Sequence, residues 1–126
     1  MSFLAVAAGG ALGAVCRYAI SLIPYKGGLP LLTLATNLLG ALLIGFIVGA
    51  AQAKAFPQTA VTFLKTGFCG GFTTFSTFSL EAFELLDRGE KLYAAVYIVL
   101  SAAGCILGVW AGMHAAKLCG FSGKGE

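Results

Sequence analysis

Hydrophobic residues occur along this chain in four long runs, separated by short stretches that hold most of the charged residues and all three prolines. About 20 consecutive apolar residues are enough for a helix to cross a bilayer. The pattern therefore predicts an all-α membrane protein whose 126 residues form a single four-helix transmembrane domain. The predicted spans cover residues 3–23, 31–53, 60–86 and 92–116.

The composition supports a membrane location. Hydrophobic residues make up 59% of the chain and charged residues only 10%, whereas soluble domains carry about 25% charged residues. A domain of this size cannot bury so large an apolar fraction inside its own core. The net charge of +3 is spread along the chain, and no basic run indicates a nucleic acid partner.

The third run contains a segment that is atypical of a lipid-spanning helix. Gly67, Gly70 and Gly71 precede a row of hydroxyl residues interleaved with phenylalanines, ending at Glu81. Non-helical backbone at membrane depth is tolerated only where it is buried in protein or lines a cavity. We predict a break near residues 70–76, although an unbroken helix whose glycines pack closely on a neighbour is the alternative.

A break would place two helix ends in the middle of the membrane. The end of the first half exposes carbonyl groups, which suit a hard cation, and the start of the second half exposes N–H groups, which suit an anion. Thr73, Thr74 and Ser76 are residue types that cap such a start.

The phenylalanines of this segment follow helical spacing. Phe72, Phe75 and Phe78 are three residues apart, which predicts a stack along one face of a helix. Core packing is the usual role of such a stripe. Because aromatic rings are positive at their edges, rings and neighbouring hydroxyls could instead line a path that holds a small anion weakly, as conduction requires.

Three further polar residues lie within or next to the apolar runs. Asn37 is a lone amide in the second span, where it either joins two helices or donates to an ion. Arg17, near the end of the first span, either reaches the interface or collects anions at a vestibule. Glu81 is the acidic residue with the best placement for a functional role, one turn beyond Phe78.

Basic residues are balanced between the two sides of the predicted bundle. Four fall on each side: Lys54, Lys65, Lys117 and Lys124 on one, and Arg17, Lys26, Arg88 and Lys91 on the other. The positive-inside rule sets orientation from an asymmetry that is missing here. The balance favours insertion in both orientations. The alternative is that one helix end dominates and fixes a single topology.

A tight bundle of four helices leaves little room for a water-lined path, so a transport site favours two copies. Copies of opposite orientation would form an antiparallel dimer, the two-chain form of an inverted repeat. Glycines four residues apart, such as Gly9 and Gly13 or Gly45 and Gly49, indicate close helix packing either inside the subunit or between subunits.

Nothing in the sequence indicates an enzyme. His114 is the only histidine, and no nucleophile–base pair can be built with it. The four cysteines lack the spacing of a metal site and lie in apolar surroundings, so we expect them to serve as small packing residues.

Three motifs resemble those of the Fluc (CrcB) fluoride channels. They are Gly9-Gly-x-x-Gly-Ala-x-x-Arg-Tyr18, Thr33-x-x-x-Asn-x-x-Gly40 and Gly70-Gly-Phe-Thr-Thr-Phe-Ser-Thr-Phe-Ser-x-Glu81. The resemblance implies a multi-pass protein of the cell (inner) membrane that forms an antiparallel, dual-topology homodimer with two pores. It also implies passive export of fluoride, which lowers the toxicity of fluoride in the cytoplasm.

The resemblance also implies roles for individual residues. Asn37, Phe75, Phe78 and Ser101 would line the fluoride pore, with Thr77, Ser79, Glu81 and Tyr97 as secondary pore residues. Arg17 would lie at the vestibule. A structural Na⁺ at the dimer axis would be bound by the backbone carbonyls of Gly70 and Thr73.

Two other classes share this size and span count. A small dual-topology, proton-coupled exporter of cationic drugs or guanidinium would need a carboxylate in the first helix, and that segment has none. A non-transporting assembly protein held together by small-residue motifs would need neither Asn37 nor the hydroxyl row.

Overall fold

The computed structural model describes residues 2–121, and this part of the chain is helical and contains no strand. Three helices are long and apolar enough to cross a membrane: α1 (Ser2–Ser21), α2 (Leu31–Gln52) and α6 (Lys91–Leu118). The third crossing is divided into α3 (Gln58–Val61), a π-helical segment (Thr62–Cys69), α4 (Gly70–Phe72) and α5 (Phe75–Asp87). Residues 58–72 are called the first half of this crossing below, and α5 is its second half.

The crossing is broken where the glycine and hydroxyl residues meet. Thr73 and Thr74 have extended backbone, with φ/ψ of −83°/157° and −148°/116°, and helical geometry resumes at Phe75. The predicted break is thus present, at two threonines, and the alternative of an unbroken helix is excluded. The π-helical geometry of the preceding segment was not predicted from the sequence.

Glycine contacts establish the direction of each crossing. Gly9 of α1 faces Phe63 and Phe68, and Gly13 lies further along against Phe68 and Phe72, so α1 runs parallel to the first half. In the same way Gly104 faces Leu38 whereas Gly112 faces Leu42 and Phe46, so α6 runs parallel to α2. The four crossings therefore alternate in direction.

The small-residue motifs serve packing within the subunit. A Cβ at Gly13 would meet the carbonyl oxygen of Phe68, and one at Gly45 would meet that of Val109. Gly71 likewise lies against the backbone of Gly10. The interpretation of these motifs as close packing inside one subunit is therefore confirmed.

The connection between α5 and α6 closes with a helix-ending glycine turn. At Gly89, where φ is +78°, the amide donates to the carbonyl of Leu86 at 3.0 Å and the next amide, of Glu90, donates to Leu85 at 2.9 Å. This pairing satisfies the last carbonyls of α5 and forms the short hairpin into α6. Lys124, one of the lysines counted for charge balance, lies outside the described residues.

Candidate functional site

The break is joined to α2 by a reciprocal pair of hydrogen bonds. The Nδ2 of Asn37 donates to the carbonyl of Thr74 at 3.0 Å, and the amide of Thr74 donates to Oδ1 of Asn37 at 2.8 Å. A backbone amide that has left the helix would otherwise be unpaired at membrane depth, which is costly. Asn37 therefore forms the contact between helices, and its amide keeps one further N–H for another acceptor.

Thr74 also caps the start of α5. Its Oγ1 accepts from the amide of Thr77 at 3.2 Å, and its hydroxyl donates to Oγ1 of Thr77 at 3.0 Å. Of the three capping candidates, Thr74 is the one at the N-cap position. The positive end of α5 is thus fixed at the break, next to Asn37.

The carbonyls at the end of the first half have different partners. The Nε of Arg17 donates to the carbonyl of Gly71 at 3.1 Å, and both the amide and the hydroxyl of Thr73 donate to Cys69. The carbonyls of Gly70 and Thr73 accept no hydrogen bond from residues 2–121. A Cβ at Gly70 would meet nothing within 4 Å, so the backbone is open on that side.

Three aromatic rings form a row from α5 to α6. The ring centroids of Phe75 and Phe78 are 5.5 Å apart, and those of Phe78 and Tyr97 are 5.2 Å apart. Phe75 is 79% exposed at one end of the row, whereas Tyr97 is fully buried at the other.

Phe72 does not belong to this row, and the prediction that it stacks with Phe75 and Phe78 was wrong. It is buried and stacks on Phe68 with a centroid distance of 5.6 Å. Helical spacing aligns side chains only along a continuous helix. The extended backbone at Thr73 and Thr74 turns Phe72 away from the residues after the break.

Glu81 lies behind the aromatic row and is held by two hydroxyl groups. The Oγ1 of Thr33 donates to one carboxylate oxygen at 2.8 Å, and the hydroxyl of Tyr97 donates to the other at 2.6 Å. This cluster joins α2, α5 and α6. The sequence analysis did not select Thr33, although the residue lies one turn before Asn37 in the same motif.

An open groove of about 540 Å³ collects many of the predicted residues. Six of them line it: Asn37, Gly70, Thr73, Phe75, Phe78 and Ser101. The Oγ of Ser101 is buried and has no hydrogen-bond partner within residues 2–121. The groove is also lined by residues that sequence reasoning did not assign to a site: Lys65, Thr66, Cys69 and Cys105.

The remaining predicted residues lie elsewhere. Arg17 and Thr77 line a separate cavity of about 50 Å³, together with Thr33, Thr36 and Thr74. Ser79 is exposed, and its hydroxyl donates to the carbonyl of Phe75 at 2.8 Å. Glu81 and Tyr97 lie in neither cavity.

These features define a class of protein. The chain is a multi-pass membrane protein in which one crossing is broken in mid-course, and the break combines a fixed helix N-terminus, free carbonyls and a row of rings along one groove. Such discontinuous helices are typical of ion and substrate sites in membrane transport proteins.

Comparison with known proteins assigns the family. The family model for CrcB-like proteins (camphor resistance, CrcB) matches residues 4–113. A protein of Methanocaldococcus jannaschii named fluoride-specific ion channel FluC is 43% identical over 110 residues, covering 86% of this chain and 89% of the relative. Proteins of the same name are 47% identical in Chlorobaculum tepidum, over 91% of this chain and 94% of the relative, and 44% identical in Geobacter sulfurreducens, over 92% and 97%.

The chain belongs to the CrcB family. The resemblance read from its motifs is thereby confirmed, and so is the expectation that it is not an enzyme, since these relatives are named as channels.

Proposed function

We propose that this protein is a fluoride-selective passive channel that exports fluoride across the cell membrane. The observation that carries the proposal is that Phe75 and Phe78 line a groove that also contains Thr74, the N-cap of the second half of the broken crossing. The names of the relatives, fluoride-specific ion channels, agree with this function.

The groove offers a small anion several weak contacts. Ring edges of Phe75 and Phe78 carry partial positive charge, the hydroxyl of Ser101 has no partner in the described chain, and Asn37 keeps one free N–H. Fixed dipoles of this kind replace part of the hydration shell of an ion without the full charge that would trap it. Ser79, Thr77, Glu81 and Tyr97 would extend the pathway beyond the rings or support it.

The pathway requires a second wall, and we propose that an antiparallel copy of the same chain supplies it. The groove is open along one side of the subunit, and the glycine motifs are already occupied by packing within the subunit. Together with balanced basic residues on the two sides, this favours two copies of opposite orientation, related by a twofold axis in the membrane plane.

Sodium is the cofactor that the family resemblance implies, and the residues present fit it. The carbonyls of Gly70 and Thr73 are free of hydrogen bonds within residues 2–121, and no side chain covers the backbone at Gly70. Carbonyl oxygens are ligands for hard cations. Two copies would supply four such oxygens, and a bound Na⁺ would add positive charge and hold the subunits together.

Arg17 is proposed to lie at the vestibule. Its Nε is already bound to the carbonyl of Gly71, so the guanidinium would act on ions with its remaining N–H groups. Arg17 also lines the small cavity that contains four threonines.

Flux from proteoliposomes tests the function. We expect voltage-driven fluoride efflux that is far faster than chloride efflux and needs no proton gradient. Uptake of guanidinium coupled to protons would support the exporter alternative instead, although α1 contains no acidic residue to carry the proton. Absence of flux for every ion tested would support the alternative of a non-transporting assembly protein.

Tag accessibility tests the topology. A C-terminal tag should be reached from both sides of one cell membrane if copies insert in both orientations. A tag that reacts from one side only would contradict the antiparallel dimer while leaving fluoride conduction open.

A further inference from the structure

Among residues 2–121, Lys65 is the only charged residue that lines the groove. It lies in the π-helical segment and is exposed. No carboxylate of residues 2–121 lies within ion-pair distance of it, since the ion pair in this part of the chain joins Arg88 and Glu90. A lysine without a counter-charge in residues 2–121 therefore lines the groove.

The position of Lys65 along the groove follows from the direction of its three walls. Gly40 of α2 lies against Thr73, and α2 runs antiparallel to the first half, so residues before Thr73 lie toward the C-terminal end of α2. The groove accordingly passes from Asn37, Phe78 and Ser101 to Ile44 and Val109. Lys65 precedes Thr73 by eight residues and therefore lies toward this second end.

A lysine in this position extends its flexible stem along apolar surface and keeps the ammonium in water. A cation at the mouth of a narrow, low-dielectric cleft raises the local concentration of anions and speeds their entry. Because Lys65 lies toward the end of the groove away from the rings, its charge would attract an anion without binding it in the middle of the pathway.

We propose that Lys65 is an anion-recruiting residue that increases the rate at which fluoride enters the groove. The inference rests on the proposed function, because it assumes that the groove is part of the fluoride pathway. It assigns Lys65 a role in conduction rate and not in the fold. In an antiparallel pair, each membrane face would present one such lysine.

The test compares fluoride efflux of the wild type, Lys65→Gln and Lys65→Arg at low and high ionic strength. At about 0.01 M salt the screening length is about 30 Å, and at 1 M it is about 3 Å. We expect Lys65→Gln to lower initial efflux about two- to threefold at low salt. Loss of one unit charge at about 8 Å from the entering ion in water would have an effect of this size. At high salt its flux should equal that of the wild type, and Lys65→Arg should match the wild type throughout.

Lys117→Gln is the matched control. Lys117 is an exposed lysine in the last turn of α6, on the same side of the bundle, but it does not line the groove. An equal loss in Lys117→Gln would attribute the effect to general surface charge and overturn the proposal.

Two other outcomes would also overturn it: unchanged flux of Lys65→Gln at low salt, or a loss in both Lys65→Gln and Lys65→Arg that persists at high salt. Size-exclusion profiles of all variants report on assembly, so a folding defect is recognised separately. Absence of fluoride flux in the wild type would refute the proposed function itself. If the wild type conducts and Lys65→Gln conducts equally well, only the recruiting role of Lys65 is refuted.

Discussion

The two halves of the broken crossing are held in place by different kinds of contact. The first half packs backbone to backbone on α1, where Gly9, Gly13 and Gly71 leave no space for a side chain. The second half, α5, contributes only Ala82 and Leu85 to the buried core and is anchored mainly by polar side chains at Thr74 and Glu81.

This difference separates the determinants of folding from those of function. Close packing of helix backbones in lipid depends on the absence of a side chain and tolerates almost no change. Hydrogen bonds from side chains can be removed one at a time, leaving the surrounding helices in place. We therefore expect substitutions of the glycines that pack the first half on α1 to affect folding, and substitutions around α5 to affect conduction.

The largest effect is expected at Gly71. In Gly71→Ala the new Cβ would collide with the carbonyl oxygen of Gly10 on α1, and overpacking of this kind destabilises by about 1–3 kcal/mol or more. Yield of folded protein and the thermal unfolding midpoint in detergent measure the change. Gly10→Ala is the matched control in the same contact, because its Cβ would meet only the carbonyl oxygen of Gly67, at 3.8 Å, and the subunit should fold normally. Equal behaviour of the two variants would contradict the packing argument.

Asn37→Asp should abolish fluoride flux. The carboxylate cannot donate to the carbonyl of Thr74, so the reciprocal pair is lost, and an ionised group in the groove repels anions. An unpaired buried group costs about 1–3 kcal/mol, so Asn37→Leu should also reduce flux, by about fivefold or more. Liposome efflux is the measurement, and wild-type throughput in either variant would exclude a role for the amide.

Replacement of the aromatic rings that line the groove is expected to have a smaller effect on fluoride flux. Phe75→Ile and Phe78→Ile should each reduce flux by about three- to tenfold, since a favourable contact with an aromatic ring is worth about 0.5–1.5 kcal/mol. Assembly should be unchanged. Phe83→Ile serves as the control, because Phe83 lies on the same helix and is 63% exposed but does not line the groove. Unchanged flux in both ring variants would remove the ring-edge argument.

The smallest effect is expected behind the rings, at the Glu81 cluster. Tyr97→Phe keeps the aromatic row and removes one donor to Glu81, so we expect flux to fall by about two- to fivefold and stability by about 1–2 kcal/mol. Thr33→Val removes the other donor.

A double-mutant cycle sharpens this comparison. Because the two hydroxyls share one carboxylate, the effects of Tyr97→Phe and Thr33→Val should not add. Strict additivity in thermal unfolding would mean that the two groups act independently, which the shared carboxylate does not allow.

Much of the fold follows from local chemistry and was therefore predictable. Apolar runs of sufficient length dictate the crossings, glycines beside threonines predict the break, and Thr74 has the residue type of an N-cap. Each of these properties depends on a few neighbouring residues. The π-helical geometry of residues 62–69 has no comparable local signal.

The site was less predictable because it depends on contacts between distant segments. Helical spacing placed Phe72 in the aromatic row, but the break directs it to Phe68 instead. Arg17 was expected to face solvent or ions, and in the structure it binds the carbonyl of Gly71, 54 positions away. No periodicity in a single segment encodes such pairings.

By itself the sequence determined that the protein is an all-α membrane protein with a weak point in its third crossing. Lipid excludes water, so an apolar run must form a helix and a glycine-rich, hydroxyl-rich run must find partners. Only the tertiary structure decided which partners these are: Asn37 for the backbone of Thr74, Tyr97 and Thr33 for Glu81, and Lys65 at the groove. Hydrogen bonds and electrostatic fields act through space, over distances that are set only when the helices have packed.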